Sequence, residues 1–192
     1  RQMCIRDSGK IIIGDKGYGA LLGGQISNAG IVSARLGKIA LGAGEKITLD
    51  FVGDGLMSVS VPSEKLGIIK DINGNTLKSL ISNSGLLKAN GGIIKLSAAT
   101  AKNLSRSSVN IGSSGLIIAR SVNDKTGKVV IGSPTNEKIK IAGKIDVSGH
   151  RSLTPSGTII VRGRSVTHNG KIFARGGTGG KVNIISKDTL KL

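Results

Sequence analysis

The sequence predicts an all-β fold, a three-faced parallel β-helix built as a solenoid, on three observations. A glycine-led pentad recurs as Gly30-Ile31-Val32-Ser33-Ala34, Gly55-Leu56-Met57-Ser58-Val59, Gly85-Leu86-Leu87-Lys88-Ala89, Gly115-Leu116-Ile117-Ile118-Ala119, Gly143-Lys144-Ile145-Asp146-Val147 and Gly170-Lys171-Ile172-Phe173-Ala174. Its spacing is roughly 28 residues, within the range of solenoid repeats. A second glycine-led strand interleaves with it, at Gly9-Lys10-Ile11, Gly37-Lys38-Ile39, Gly92-Ile93-Ile94, Gly127-Lys128-Val129, Gly157-Thr158-Ile159 and Gly180-Lys181-Val182. The composition agrees: 30 glycines, 3 prolines and 2% aromatic residues suit short aliphatic strands joined by tight turns.

Along the chain, residues 1–8 (Arg1 to Ser8) do not match the repeat and read as a translated cloning scar, outside the fold. Residues 9–192 read as one β-helical domain. The unit beginning at Gly30 shows the pattern. Val32 and Ala34 alternate with Ile31 and Ser33. Ile39 and Leu41 alternate with Lys38 and Ala40. After Gly42-Ala43-Gly44, Ile47, Leu49 and Phe51 alternate with Thr48 and Asp50. Period-2 alternation puts one set of side chains on each face of a strand.

The inward set is therefore Val32, Ala34, Leu87, Ala89, Ile117, Ala119, Ile145, Val147, Ile172 and Ala174 on the first strands. On the second strands it is Ile39, Leu41, Ile94, Leu96, Val129, Ile131, Ile159, Val161, Val182 and Ile184, and Leu49 joins from a third strand. The glycines are expected where the backbone needs positive φ, and Asn28, Asn83 and Asn169 are read as turn residues beside them.

The segment Ile68–Ile81 fits the repeat worst and contains Asn73-Gly74, a hairpin-turn dipeptide. A hairpin extruded near residues 68–81 is expected. Leu96–Arg106 is the one weakly helical stretch. A β-sandwich is the rival architecture, but it would need Asn-Gly turns throughout.

The chain carries 28 Lys+Arg against 11 Asp+Glu, a formal net charge of +17. Such an excess keeps a surface solvated and also attracts anionic partners. Parallel coils place equivalent residues in register, so Lys10, Lys38, Lys128 and Lys181, each following a second-class glycine, are expected on one face. Lys95 and Arg162 should join them, making a basic stripe for anionic polymer.

Other chemistry finds little footing. His150 and His168 stand alone, and the single Cys4 permits no intrachain disulfide, so neither a metal nor a cofactor is expected. Asp50 and Asp54 are close, yet Asp54 between two glycines reads as a turn. A polysaccharide-degrading β-helix needs grouped carboxylates, and these acids are scattered. Gly176-Gly177-Thr178-Gly179-Gly180-Lys181-Val182 fails the phosphate-loop pattern, with Arg175 at the first glycine and Val182 at the Mg²⁺-binding hydroxyl. Stacking aromatics are limited to Tyr18, Phe51 and Phe173, so no specific nucleic-acid readout is expected. No apolar run is long enough for a membrane span.

The run Gly17-Tyr18-Gly19-Ala20-Leu21-Leu22-Gly23, Asn28-Ala29-Gly30-Ile31-Val32-Ser33-Ala34, Leu36-Gly37-Lys38-Ile39-Ala40-Leu41-Gly42-Ala43-Gly44-Glu45, Thr48-Leu49-Asp50 and Gly53-Asp54-Gly55-Leu56 resembles the filamentous haemagglutinin family. These are the large exoproteins of bacterial two-partner secretion. The resemblance continues through Asn83-Ser84-Gly85, Val147-Ser148-Gly149 and Gly176-Gly177-Thr178-Gly179-Gly180. It implies a right-handed parallel β-helix and a secreted or bacterial cell-surface location. It also implies export through an outer-membrane two-partner-secretion transporter. The chain would then be a segment of a longer adhesin, not an enzyme, with a host or cell-surface glycan or protein as receptor.

Overall fold

The computed structural model describes residues 9–44, 46–49, 57–60, 79–98, 107–132, 137–149 and 153–192, with backbone alone at 46–49 and 57–60. Among these there is no helix, and the apolar–polar alternation becomes strands stacked in parallel. The first column of strands is β1 (Lys10–Ile13), β4 (Ile31–Ala34), β9 (Leu86–Lys88), β12 (Leu116–Ile118), β15 (Lys144–Asp146) and β17 (Lys171–Phe173). The second is β2 (Tyr18–Gly23), β5 (Lys38–Ala43), β10 (Ile93–Ala98), β13 (Lys128–Ile131) and the first half of β16 (Thr158–His168). The third is β3 (Ile26–Asn28), β8 (Ser79–Asn83), β11 (Ser107–Ile111), β14 (Lys138–Ile141) and the second half of β16. The chain visits the columns in rotation, so each circuit makes one coil and six coils stack. β18 (Lys181–Lys191) runs beside the whole of β16, with a register shift between Gly163 and Ser165, and joins the second and third columns. This architecture is consistent with a parallel β-solenoid.

The columns bury continuous aliphatic ladders. In the first, Val32, Leu87, Ile117 and Ile145 are in direct register and all but solvent-free. In the second, Ile39, Ile94, Val129 and Ile159 do the same, as do Leu41, Leu96, Ile131 and Val161. Ile81, Val109, Ile139 and Val166 fill the third. Burying each such side chain contributes roughly 1.5–3 kcal/mol. Ile172, Ala174 and Ile184 are partly buried against the core, while Val182, expected inside, is 42% exposed. Val182 lies in the sixth coil, where its cross-strand neighbour Ile159 covers one side alone.

The glycines do a different job from the one expected. Among the described residues the positive-φ glycines are Gly91 and Gly132. Gly30, Gly85, Gly115, Gly143 and Gly170 instead mark a close-packed corner. A Cβ on Gly85 would stand 2.2 Å from the carbonyl oxygen of Gly30, the same oxygen that accepts the Leu86 N–H at 2.9 Å. Gly9 heads this first column, because its carbonyl accepts the Ile31 N–H. Gly17, whose carbonyl accepts the Lys38 N–H, heads the second. The assignment of Gly9-Lys10-Ile11 to the second class is thereby corrected.

An excursion from the solenoid begins after β5. β4 pairs directly with β9, so Gly85 follows Gly30 in the ladder, and the pentad at Gly55 takes no place in it. Between β5 and β8 the chain instead forms the antiparallel pair β6 (Lys46–Leu49) and β7 (Met57–Ser60), with β7 close to β5 and β10. The third strand of this coil is β8 rather than the segment around Leu49. Residues 79–81 of the predicted hairpin belong to this parallel strand, and residues 68–78 lie outside the described residues. The side chains of Leu49 and Phe51, and Asp50 and Asp54, also lie outside them. Leu96 to Ala98, in the weakly helical stretch, end the strand β10.

Asn28 and Asn83 are not simple turn residues. They are buried in register, and the Asn28 Nδ2 donates to Asn83 Oδ1 at 2.7 Å. Each also serves the glycine corner: Asn28 Oδ1 accepts the Gly30 N–H and Asn83 Nδ2 donates to the Gly85 carbonyl. Further up the same ladder Ile111 and Ile141 replace them, followed by His168.

His168 is held below its ordinary pKa by burial, and its Nδ1 is buried without a hydrogen-bond partner. The folded protein therefore binds this proton less readily than the unfolded chain. Stability is complete above the unfolded value of about 6.5 and declines as pH falls through it toward the lower folded value. His168→Ile extends the Ile111–Ile141 ladder and is expected to remove that decline, read as a flatter dependence of the denaturant midpoint on pH.

Candidate functional site

The second column carries the site. Its outward first row reads Tyr18, Lys38, Ile93, Lys128, Thr158 and Lys181. Two residues along each strand the row reads Ala20, Ala40, Lys95, Val130, Ile160 and Asn183. Two further on, Arg162 stands beside Ile185. Neighbouring strands are about 4.8 Å apart, so Lys38 and Lys128, two coils apart, are separated by about 9.6 Å, as are Lys128 and Lys181. The spacing limits repulsion between like charges. No Asp or Glu occupies these outward rows. Tyr18 stands at the head of the first row, where burial pushes its phenol pKa up.

The structure thus brings Lys38, Lys95, Lys128, Arg162 and Lys181 onto one face. It does not bring Lys10 there. Lys10 belongs to β1, and its row runs Lys10, Ile31, Leu86, Leu116, Lys144 and Lys171 on the first column. The local motif Gly-Lys-Ile is the same in both corners, so the residues themselves do not distinguish them. The carbonyl of Gly17 and its bond to Lys38 do.

Sequence reasoning missed a second cluster, on the outward face of the first column. The Asp146 side chain is 3% exposed although it points away from the core. Arg120 covers it, donating from Nη2 at 2.7 Å and Nε at 3.1 Å to Oδ2, while the Ser148 N–H donates to Oδ1 at 3.0 Å. Burial works to raise the Asp146 pKa, but the Arg120 and Ser148 hydrogen bonds and the Arg120 charge outweigh it and hold the carboxyl below its usual value. Beside it, the Phe173 ring has the Lys144 ammonium 4.6 Å and the Arg175 guanidinium 4.9 Å from its centre. Here cations are engaged by a carboxylate and an aromatic ring, within cation–π range. The signal for this cluster was an acid within the pentad, at Asp146, where the other copies carry Ser33, Lys88, Ile118 and Phe173 in register.

Among the described residues, no three of His, Cys, Asp or Glu come together as metal ligands, and no helix is long and apolar enough to cross a membrane. His150 lies outside the described residues. No family model, curated protein or solved structure matches the chain.

Proposed function

We propose that the chain is a non-enzymatic segment of a right-handed, three-faced parallel β-helix from a secreted or surface-exposed adhesin of the filamentous haemagglutinin type, exported by two-partner secretion. Its contact surface is the outward face of the second column, which takes anionic polymer. The observation that carries this reading is the collection of Lys38, Lys95, Lys128, Arg162 and Lys181 on outward rows that hold no acid. A row of cations attracts a polyanion at long range and loses it as salt screens the charges. A solenoid offers such a surface along its length rather than in a pocket.

The test is retention on a sulfated-polysaccharide matrix. The Lys38→Gln/Lys128→Gln/Lys181→Gln variant is expected to elute at distinctly lower salt than the unaltered protein. Lys10→Gln, on the other column, is expected to elute close to it. Elution of all three at one salt concentration, or elution independent of salt, would leave the charge as a solubility feature.

A further inference from the structure

We propose that the outward face of the first column docks on an anionic lipid bilayer, lying flat in the headgroup region. The residues involved are not those of the second column, so this stands apart from the polymer-binding reading. Ile31, Leu86 and Leu116 follow one another in direct register on the first outward row. With strands about 4.8 Å apart, they form an unbroken aliphatic strip about 10 Å long. Ile118 widens the strip, two residues beyond Leu116 and on the same side of the pleat, about 7 Å along the strand. Ile12, 79% exposed, stands on the same face in the first coil. Scattered surface aliphatics need no explanation, but several presented together mark a contact surface.

The face is open over all six coils. On its two outward rows Asp146 alone is buried, beneath Arg120, and every other residue is half-buried or exposed.

The charge around the strip selects the occupant. Lys10 ends its row on one side, Lys144 and Lys171 end it on the other, and Lys88 stands beside Leu86. The one acid of the two rows, Asp146, is already paired with Arg120. A second copy laid on this face would set lysines against lysines. A nucleic acid would need stacking aromatics, which the strip lacks. An anionic bilayer surface answers both features. Its phosphates face the ammonium groups, and the upper acyl chains cover the aliphatics. Lysine stems lie along apolar surface while their charged ends stay at the polar level. The backbone permits the contact too. β4, β9, β12 and β15 each have a hydrogen-bonded strand on both sides, so their ladder groups are satisfied within the sheet.

The experiment is co-flotation of the full chain with vesicles of phosphatidylglycerol and phosphatidylcholine, against vesicles of phosphatidylcholine alone. Binding to the first is expected to exceed binding to the second, and to be weakened but not abolished by high salt. Leu86→Ser/Leu116→Ser keeps every charge. It is expected to lower partition onto the anionic vesicles about tenfold and to remove the salt-resistant part. Its denaturant midpoint and its retention on the sulfated matrix are expected to match those of the unaltered protein. Lys10→Gln/Lys88→Gln leaves the strip intact and is expected to lower the partition about tenfold. The Lys38→Gln/Lys128→Gln/Lys181→Gln variant is expected to lose matrix retention and keep most of its vesicle binding. Failure to bind the anionic vesicles would overturn the docking face. So would binding that the serine pair leaves unchanged, or binding lost in the second-column variant, which would assign it to charge on the polymer-binding face alone. Should the serine pair destabilise the fold, the glutamine pair decides, and vesicle binding equal to that of the unaltered protein overturns the proposal. Each of these outcomes leaves matrix retention as the separate measure of the second column.

Discussion

Gly92→Ala is expected to open the solenoid at the third coil. The new Cβ would sit 1.9 Å from the carbonyl oxygen of Gly37 and 3.0 Å from its carbonyl carbon and nitrogen. The obstacle is backbone on the neighbouring coil, so no rotamer change relieves it. That Gly37 oxygen is also the acceptor for the Ile93 N–H at 3.0 Å, so the coils cannot part there without losing a ladder bond. Overpacking of a core costs about 1–3 kcal/mol when side chains can yield, and here they cannot, so the loss should reach or exceed the top of that range. Denaturant unfolding measures it. Gly24→Ala is the control, since its Cβ would meet nothing within 4 Å, and it is expected to be neutral. A Gly92→Ala protein as stable as Gly24→Ala would mean that the corner is not close-packed.

Leu87→Ala is expected to cost about 2–5 kcal/mol, the range for emptying a fully buried leucine site. Leu87 is 0% exposed and lies in register between Val32 and Ile117, so the cavity would loosen the contact with the coil on either side. In a solenoid those two interfaces supply much of what holds a coil, since contacts run only between neighbours. Leu86→Ala, one residue earlier on the outward side, should change the denaturant midpoint little. Equal effects from the two substitutions would contradict the assignment of Leu87 to the core.

Much of the repeat was legible because it follows from alternation. Wherever two consecutive coils are regular, as from Gly85 to Val147, period 2 identifies Leu87, Ile94, Ile117, Val129 and Ile145 as core without further information. The regularity misled at Gly55. Its pentad has the right spacing and the right residues, yet the ladder passes from Ile31 straight to Leu86. Strand propensity does not state which partner a strand will take, and Met57 to Ser60 pair antiparallel with Lys46 to Leu49 instead.

The candidate face was legible in the same uneven way. Lys38, Lys128 and Lys181 share a row because Gly37, Gly127 and Gly180 share a corner, a pattern visible in the residues themselves. Lys10 follows an identical dipeptide but enters a different column. The Arg120–Asp146 pair, spanning 26 residues, joins two coils, and no local pattern announces it.

By itself the sequence determined the all-β class, the repeating coil and most of the core, because backbone pleat and side-chain burial are decided within a few residues. The tertiary structure decided which glycine begins which column, where the chain leaves the solenoid, and which cations share a face. Those are questions of register between strands distant in sequence. They are settled by interstrand hydrogen bonds, such as those to the Gly9 and Gly17 carbonyls, and by the absence of space for a Cβ where one coil meets the next.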